Sequence, residues 1–246
     1  MSEVRVETAR GVMTVTLADI ANRNALGAGL LQGLYDAIEA ANADASIRAV
    51  VVTNEGNTFC AGANLKQQSG AQPVSRPAIG LDSLFSAIQR SATPVIGRIA
   101  GHVMGGGNGL AAAMDIAIAA DDVKFGFTEV RLGVIPAIIS VVCLPKMRRG
   151  EALEAFLRGN RFSAQRAAEL GLISRAVPAA ELDTAIAEAL DCGSPHPETV
   201  RLILDRRRRE RHVSPPVAID LPDNPRAKNL TVVPHDLADY DPEDDS

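Results

Sequence analysis

The chain of 246 residues has few cysteines and no excess of positive charge. Its three cysteines, Cys60, Cys143 and Cys192, are odd in number, widely spaced and not accompanied by histidine at metal-ligand spacing. This pattern argues against a disulfide framework and against a metal site, and it favours a reducing compartment. A net charge of −5 provides no general attraction to polyanions, so nucleic acid is not an expected partner.

Long apolar runs are also missing. The first residues, "MSEVRVETARGVMTVTL", lack the basic segment followed by an apolar segment that marks an export signal. No apolar run is long enough to span a bilayer. We therefore expect a cytoplasmic protein without a membrane partner. The 46% of hydrophobic residues and 22% of charged residues are typical of a globular protein that buries a sizeable core.

Strand and helix patterns alternate along the first half of the chain. Residues 12–17 alternate like a half-buried strand, and residues 48–53 form an apolar run of strand length. Between them lies a helical stripe of Leu30, Leu34, Ile38 and Ala41. The same order recurs with helices over 81–91 and 106–114 and strands over 94–100 and 115–120. Such alternation predicts α/β architecture with parallel strands and crossover helices, followed by three short helical segments after residue 136.

The composition changes near the end of the chain. Eight of the 14 prolines follow Asp191, together with the basic run "RRRRERH" at 206–212 and the acidic ending "DLADYDPEDDS". Prolines and separated blocks of opposite charge are typical of segments that do not build a packed core. We expect a core at residues 1–190 and a divergent, partly disordered tail at residues 191–246.

Two stretches carry strands directly into small residues and then into helices. They are "NTFCAGANLKQQ" at 57–68 and "IAGHVMGGGNGLAAAMDIAIAA" at 99–120. Glycine permits close backbone approach, and a helix N-terminus presents unpaired N–H groups with partial positive charge. The amides of Ala63 and Gly106 would stabilise one negatively charged oxygen if both pointed at it. Alternatively, the glycines only allow tight helix packing; the known phosphate-binding patterns are absent in their required form.

Five segments follow one another in a characteristic order. They are "NRNAL" at 22–26, "FCAGANL" at 59–65, "GHVMGGGNGLAAAMDIAIAA" at 101–120, "VKFGFTEVRLGVIP" at 123–136 and "FSAQRAAELGLISRAVP" at 162–178. Together they resemble the crotonase, or enoyl-CoA hydratase/isomerase, superfamily. The resemblance implies an α/β spiral of ββα units with a short helical C-terminal part, an acyl-CoA substrate, no separate cofactor, and a homotrimer or hexamer.

The resemblance also implies a set of site residues. Ala63 and Gly106 would form the oxyanion hole, and the pantetheine of CoA would lie between the first helical turn and the "FCAGANL" segment. The positions that would contact the substrate are Arg23, Ala25, Ala61, Gly62, Ala63, Asn64, Leu65, Gly105, Gly106, Gly109 and Pro136.

The chain departs from the family at one of two catalytic positions. Family hydratases carry two glutamates that hold water; here Gly109 occupies the first position and Glu129 the second. A single carboxylate can move a proton from C2 of a 3-enoyl-CoA to C4, so double-bond isomerisation is preferred. An inefficient hydratase and an acyl-CoA-binding relict remain alternatives. A glutamate restored at position 109 is expected to raise hydration if the pocket has room.

Four further polar or reactive side chains are interpreted as structural. Cys60 has no neighbour that supplies a base or lowers its pKa, and Ser140 has no histidine at triad-like placement. A histidine beside the glycines could orient a substrate, but a lone histidine is more often a packing residue. The four residues are Asp115, His102, Cys60 and Ser140.

Overall fold

The computed structural model describes residues 3–63 and 79–191 and the two short strands at 217–218 and 231–232. The strands are β1 (Val4–Ala9), β2 (Val12–Leu17), β3 (Ala49–Asn54), β4 (Thr58–Cys60), β5 (Val95–Ile99), β6 (His102–Met104), β7 (Ile116–Ala120), β8 (Lys124–Gly126), β9 (Arg161–Ser163), β10 (Arg175–Val177), β11 (Val217–Ala218) and β12 (Thr231–Val232). The helices are α1 (Ala28–Ala43), α2 (Leu81–Arg90), α3 (Gly106–Ala113), α4 (Ala137–Cys143), α5 (Arg149–Arg158), α6 (Ala164–Glu169) and α7 (Leu182–Asp191). Short 3₁₀ turns lie at Ile20–Asn22, Glu129–Leu132 and Ala179–Glu181.

Most strands belong to two sheets, and strands that follow one another along the chain alternate between them from β3 to β8. The larger sheet has the order β1-β2-β3-β5-β7-β10, and the smaller has the order β4-β6-β8-β9. Only β1–β2 in the first and β8–β9 in the second are antiparallel pairs. The pairs β3/β4, β5/β6 and β7/β8 each give one strand to each sheet, and α3 and α4 follow the later two pairs. This repeat confirms the predicted spiral of ββα units.

The predicted apolar patterns correspond to the buried faces. The stripe of Leu30, Leu34, Ile38 and Ala41 is buried on α1. The first four residues of β3 are buried consecutively, as expected for a strand covered on both faces. Every residue of α3 is buried, because its glycines and alanines let the neighbouring elements approach closely. The core therefore surrounds the helix that begins at the second glycine stretch.

The tail contributes one small sheet to the described structure. Strands β11 and β12 pair antiparallel, and β12 lies beside α4. The remainder of the predicted disordered tail falls outside the described residues and stays a prediction. Within the described ranges no helix combines the length and apolar character needed to cross a membrane.

Candidate active site

Two backbone segments run side by side just after β4. The N–H of Leu26 donates to the carbonyl of Gly62 at 2.7 Å, and the N–H of Ala61 donates to the carbonyl of Arg23 at 3.1 Å. Leu26 and Ala63 also form a parallel bridge. Gly62 has a φ of +94°, a conformation that other residues rarely adopt. The first glycine-alanine stretch is thus a sharp turn held against the loop that precedes α1.

The second glycine stretch forms the turn between β6 and α3. Gly105 has a φ of +50° and a ψ of −123°, which strongly favours glycine. A Cβ placed on Gly62 would lie 3.1 Å from the nitrogen of Gly106, and one placed on Gly106 would lie 3.4 Å from the nitrogen of Ala63. The structure therefore brings the two predicted amides of the oxyanion hole together.

Neither of these two N–H groups is hydrogen-bonded to an acceptor in the described part of the chain. Gly106 is the first residue of α3, where a backbone N–H has no partner inside the helix. The N–H groups of Ala63 and Gly106 donate no hydrogen bond to another described residue. The helix start adds partial positive charge at the same place. Two adjacent donors of this kind suit a carbonyl oxygen that becomes negative during a reaction.

Glu129 brings a carboxylate to the same turn. A Cβ placed on Gly105 would lie 3.3 Å from Oε1 of Glu129 and 3.7 Å from Oγ1 of Thr128. The second carboxylate oxygen, Oε2, is buried and accepts no hydrogen bond from a described residue. Burial raises the pKa of the Glu129 carboxyl, and a hydrogen bond from its own backbone N–H partly offsets this effect. A carboxyl group with a raised pKa beside the amide pair is suited to take and return a proton.

Position 109 has no room for a second carboxylate. Gly109 is buried, and a Cβ there would lie 2.8 Å from Cγ2 of Ile139 and 2.8 Å from both Cε2 and Cζ of Phe85. The condition attached to the Gly109→Glu expectation is therefore not met. A glutamate at this position would have to displace two buried apolar side chains, so the single substitution is no longer expected to raise hydration.

Sequence reasoning missed Asn108, which links the glycine turn before α3 to strand β8. Its side chain is fully buried, and its Nδ2 donates to the carbonyls of Gly105 at 3.1 Å and Gly126 at 2.9 Å. The carbonyl of Gly126 also accepts from the N–H of Gly105 at 2.9 Å. Asn108 therefore connects the turn that carries Gly106 to the strand that leads to Glu129. The available signal was a single polar residue within a run of glycine and alanine.

The other predicted contact residues differ in their exposure to solvent. Arg23 is exposed and has a φ of +54°. Ala25, Ala61 and Pro136 are half-buried. Asn64 and Leu65 lie outside the described residues. The binding roles assigned to all these positions, and to Gly62, Gly105 and Gly109, remain predictions.

The four side chains interpreted as structural all have structural surroundings. Asp115 Oδ2 accepts from the N–H of Val95 at 2.8 Å. His102 Nδ1 accepts from the N–H of Lys124 at 3.1 Å. Ser140 Oγ donates to a carbonyl of its own helix at 2.6 Å, and burial raises the pKa of Cys60 to about 12. Within 3–63 and 79–191, histidine, cysteine and carboxylate side chains form no cluster of three that would hold a metal ion.

Comparison with known proteins identifies the family of the chain. The sequence profile described as enoyl-CoA hydratase/isomerase matches residues 7–201. The 2,3-dehydroadipyl-CoA hydratase of Escherichia coli is 31% identical over 179 residues, which cover 72% of this chain and 70% of that protein. The chain belongs to the enoyl-CoA hydratase/isomerase family of the crotonase superfamily. It is an enzyme of this family, whose members act on acyl-CoA substrates.

Solved structures show the same likeness in three dimensions. The enoyl-CoA hydratase of Mycobacterium smegmatis superposes with a TM-score of 0.79 at 29% identity and covers 85% of this chain and 83% of its own. An enoyl-CoA hydratase from Mycobacterium avium superposes with a TM-score of 0.73 at 35% identity, over 85% of this chain and 86% of its own. The ββα spiral is therefore the crotonase fold.

Proposed function

We propose that this enzyme isomerises the double bond of an enoyl-CoA. The carboxylate of Glu129 takes a proton from C2 of a 3-enoyl-CoA. The negative charge moves onto the thioester oxygen, which accepts hydrogen bonds from the N–H groups of Ala63 and Gly106. Glu129 then returns the proton at C4 to give the 2-enoyl-CoA. Only a proton and a double bond change position, so the reaction needs no separate cofactor.

The observation that carries this proposal has two parts: one carboxylate, Glu129, lies beside the amide pair, and the position of the second family glutamate is packed with apolar side chains. Glu129 lies against the turn that carries Gly106, whereas Gly109 is covered by Phe85 and Ile139. A single amide donor to an oxyanion contributes about 3 kcal/mol, and a positioned acid–base contributes typically about 10²–10⁴ in rate. Both groups required for proton transfer are available, while the second water-holding glutamate is not.

Hydration of a 2-enoyl-CoA is the second candidate function. The observation that favours it is the similarity to the 2,3-dehydroadipyl-CoA hydratase and to the hydratase structures. Water activation by Glu129 alone would lose about 10²–10⁴ in rate relative to a two-carboxylate site. We therefore rank hydration below isomerisation for this chain.

A paired substrate assay tests the proposal. The chain is given a 3-enoyl-CoA and crotonyl-CoA separately, and the products are quantified by chromatography. Isomerisation is expected to be faster, and Glu129→Gln should reduce it about 10²-fold or more with thioester affinity largely kept. Faster hydration would favour the second candidate. Tight binding with neither reaction would identify a relict, and normal turnover by the Gln variant would remove Glu129 from the mechanism.

The CoA part of the substrate would follow the two paired backbone segments. We propose that Arg23 and Ala25 line one side, and that Ala61, Gly62, Asn64 and Leu65 line the other. Arg23 suits the phosphates of CoA because it is exposed and makes no ion pair with another described residue. Gly105 and Pro136 would border the acyl group.

Assembly into a homotrimer or hexamer in the cytoplasm completes the proposal. Exposed apolar residues occur on two neighbouring elements, the segment after Glu129 and helix α5, and Val130 lies against Gly159 where α5 ends. Such a patch is typical of a protein interface. Its members are Val130, Leu132, Val134, Ile135, Leu153 and Leu157. Light scattering measures the assembly directly, and a monomer would contradict this part.

A further inference from the structure

Three helices converge on Gly109 and fill the space that a side chain would take. Phe85 from α2 and Ile139 from α4 are 2% and 3% exposed. Their atoms lie 2.8 Å from the position of a Cβ on Gly109, closer than real Cβ contacts. Gly109 therefore has no room for a side chain, because two large apolar side chains occupy the space that it would take. We call Phe85 and Ile139 together the plug.

The plug lies on the catalytic side of α3. Gly109 follows Gly106 by three residues, close to one helical turn, so both are on neighbouring parts of one helix face. On α4, Ile139 precedes Cys143 by four residues and shares its face. Helix α4 packs against α3 and begins eight residues after Glu129 in the chain. This face of α4 therefore covers Gly109.

An apolar wall in this place would keep water from the reacting carbons. An ordered water needs two to four polar partners, and Phe85 and Ile139 supply none. The carboxylate of Glu129 has a buried oxygen, Oε2, that accepts no hydrogen bond from a described residue. Exclusion of water also limits exchange of a transferred proton with solvent.

We propose that the plug determines the outcome of the reaction: it excludes water from the dienolate, so that the proton carried by Glu129 returns to carbon. This inference rests on the proposed isomerisation and assigns Phe85 and Ile139 as specificity-determining residues. They act by the space they fill and have no role in holding the thioester oxygen. A smaller side chain at either position admits water and increases solvent exchange and hydration relative to isomerisation.

The test compares product partition in heavy water. Phe85→Leu removes the ring atoms above Gly109, and Ile139→Ala removes the contacting Cγ2. Ile38→Ala is the matched control, because Ile38 is fully buried on α1 but is not among the residues nearest to a Cβ at Gly109. For each variant, mass spectrometry measures deuterium incorporated per isomerisation event and 3-hydroxyacyl-CoA formed per isomerised product. Circular dichroism confirms that each variant is folded.

Both ratios should rise at least about fivefold in the plug variants and stay at the parent value in the Ile38 control. If Ile139→Ala fails to fold, Phe85→Met, which nearly conserves volume, replaces it and should raise solvent exchange by a smaller factor. Parent-like ratios in folded plug variants would overturn the plug and leave the proposed isomerisation intact. Fast hydration by the unmodified chain would overturn both.

Discussion

Gly106 and Gly109 lie on the same face of α3 but are glycine for different reasons. Gly106 faces the backbone of the neighbouring turn, where a Cβ would lie 3.4 Å from the nitrogen of Ala63, close to an ordinary contact. Gly109 faces two buried side chains at 2.8 Å, which leave no space for a Cβ. At the first position the N–H group donates no hydrogen bond to a described residue, and at the second the missing side chain permits close packing.

The comparison explains how one helix can serve both ends of a reaction site. In the proposed mechanism its first residue presents an N–H group to the thioester oxygen, while side chains from α2 and α4 cover its next turn. The polar and apolar parts of the site are therefore only one turn apart. Substitutions that keep or remove the N–H, and substitutions that add or avoid a Cβ, can separate the two roles.

The largest expected effect is the loss of the Gly106 amide. Gly106→Pro deletes the N–H group, and proline is tolerated in the first turn of a helix. Turnover of an enoyl-CoA should fall by about 10²–10³-fold. Gly106→Ala is the control, because it keeps the N–H and its Cβ would meet Ala63 at 3.4 Å, a close contact that requires only a small shift. A folded Pro variant with normal affinity and turnover would remove Gly106 from the oxyanion hole.

The second effect is the pH dependence of Glu129. Because burial raises its pKa above the ordinary value of 4.5, kcat/KM should fall about tenfold per unit at pH below a midpoint that lies above 4.5. Stability should show the opposite trend. The folded state favours the protonated carboxyl, so this contribution is complete below 4.5 and is lost as the pH rises through the raised pKa.

Glu129→Gln separates these two trends in one variant. The amide cannot ionise, so it should melt at a higher temperature than the parent at about pH 8 and show a smaller difference at about pH 4. At about pH 8 its isomerisation rate should be about 10²-fold or more below that of the parent. Equal melting differences at both pH values would show that Glu129 is not desolvated in the folded protein.

The third effect concerns the packing at Gly109. Gly109→Ala should destabilise the fold by about 1–3 kcal/mol, because its methyl group overlaps Phe85 and Ile139. Gly150→Ala is the matched control on α5, since nothing lies within 4 Å of a Cβ at Gly150. That change should stabilise by about 0.5–1 kcal/mol through helix propensity. Urea unfolding measures both, and equal stability of the two variants would contradict the close packing at position 109.

The sequence predicted most of the fold where its patterns were long. Residues 12–17 form β2 as expected, and the α1 stripe is buried. The smaller sheet could not be predicted from patterns, because β4, β6 and β8 have three residues each, too few for any periodicity to appear. The second sheet was expected only because the family resemblance implies a spiral of ββα units.

The site shows a similar division. The amides of Ala63 and Gly106 and the carboxylate of Glu129 were predicted from motifs, because those residues lie in local sequence patterns. The structure places them around one turn, and their catalytic roles stay predictions. The plug was missed, because Phe85, Gly109 and Ile139 come from three separate helices and meet only through tertiary packing. Asn108 was missed for the same reason: the carbonyl of Gly126 that it binds is distant in sequence.

The smallest expected effect is that of removing the tail. A chain ending at Leu204 loses β11 and β12, two strands of two residues each, and the Pro-rich and oppositely charged segments around them. Strand β12 lies beside α4, but the amide pair, Glu129 and the plug all precede residue 144. The melting temperature should therefore change by less than about 2 °C, and the deuterium ratio should match the parent. Calorimetry and the same partition assay measure these values. A loss of assembly on truncation would show that the tail contributes to the subunit interface. A higher deuterium ratio would show that the tail holds α4 in place and thereby keeps Ile139 packed against Gly109.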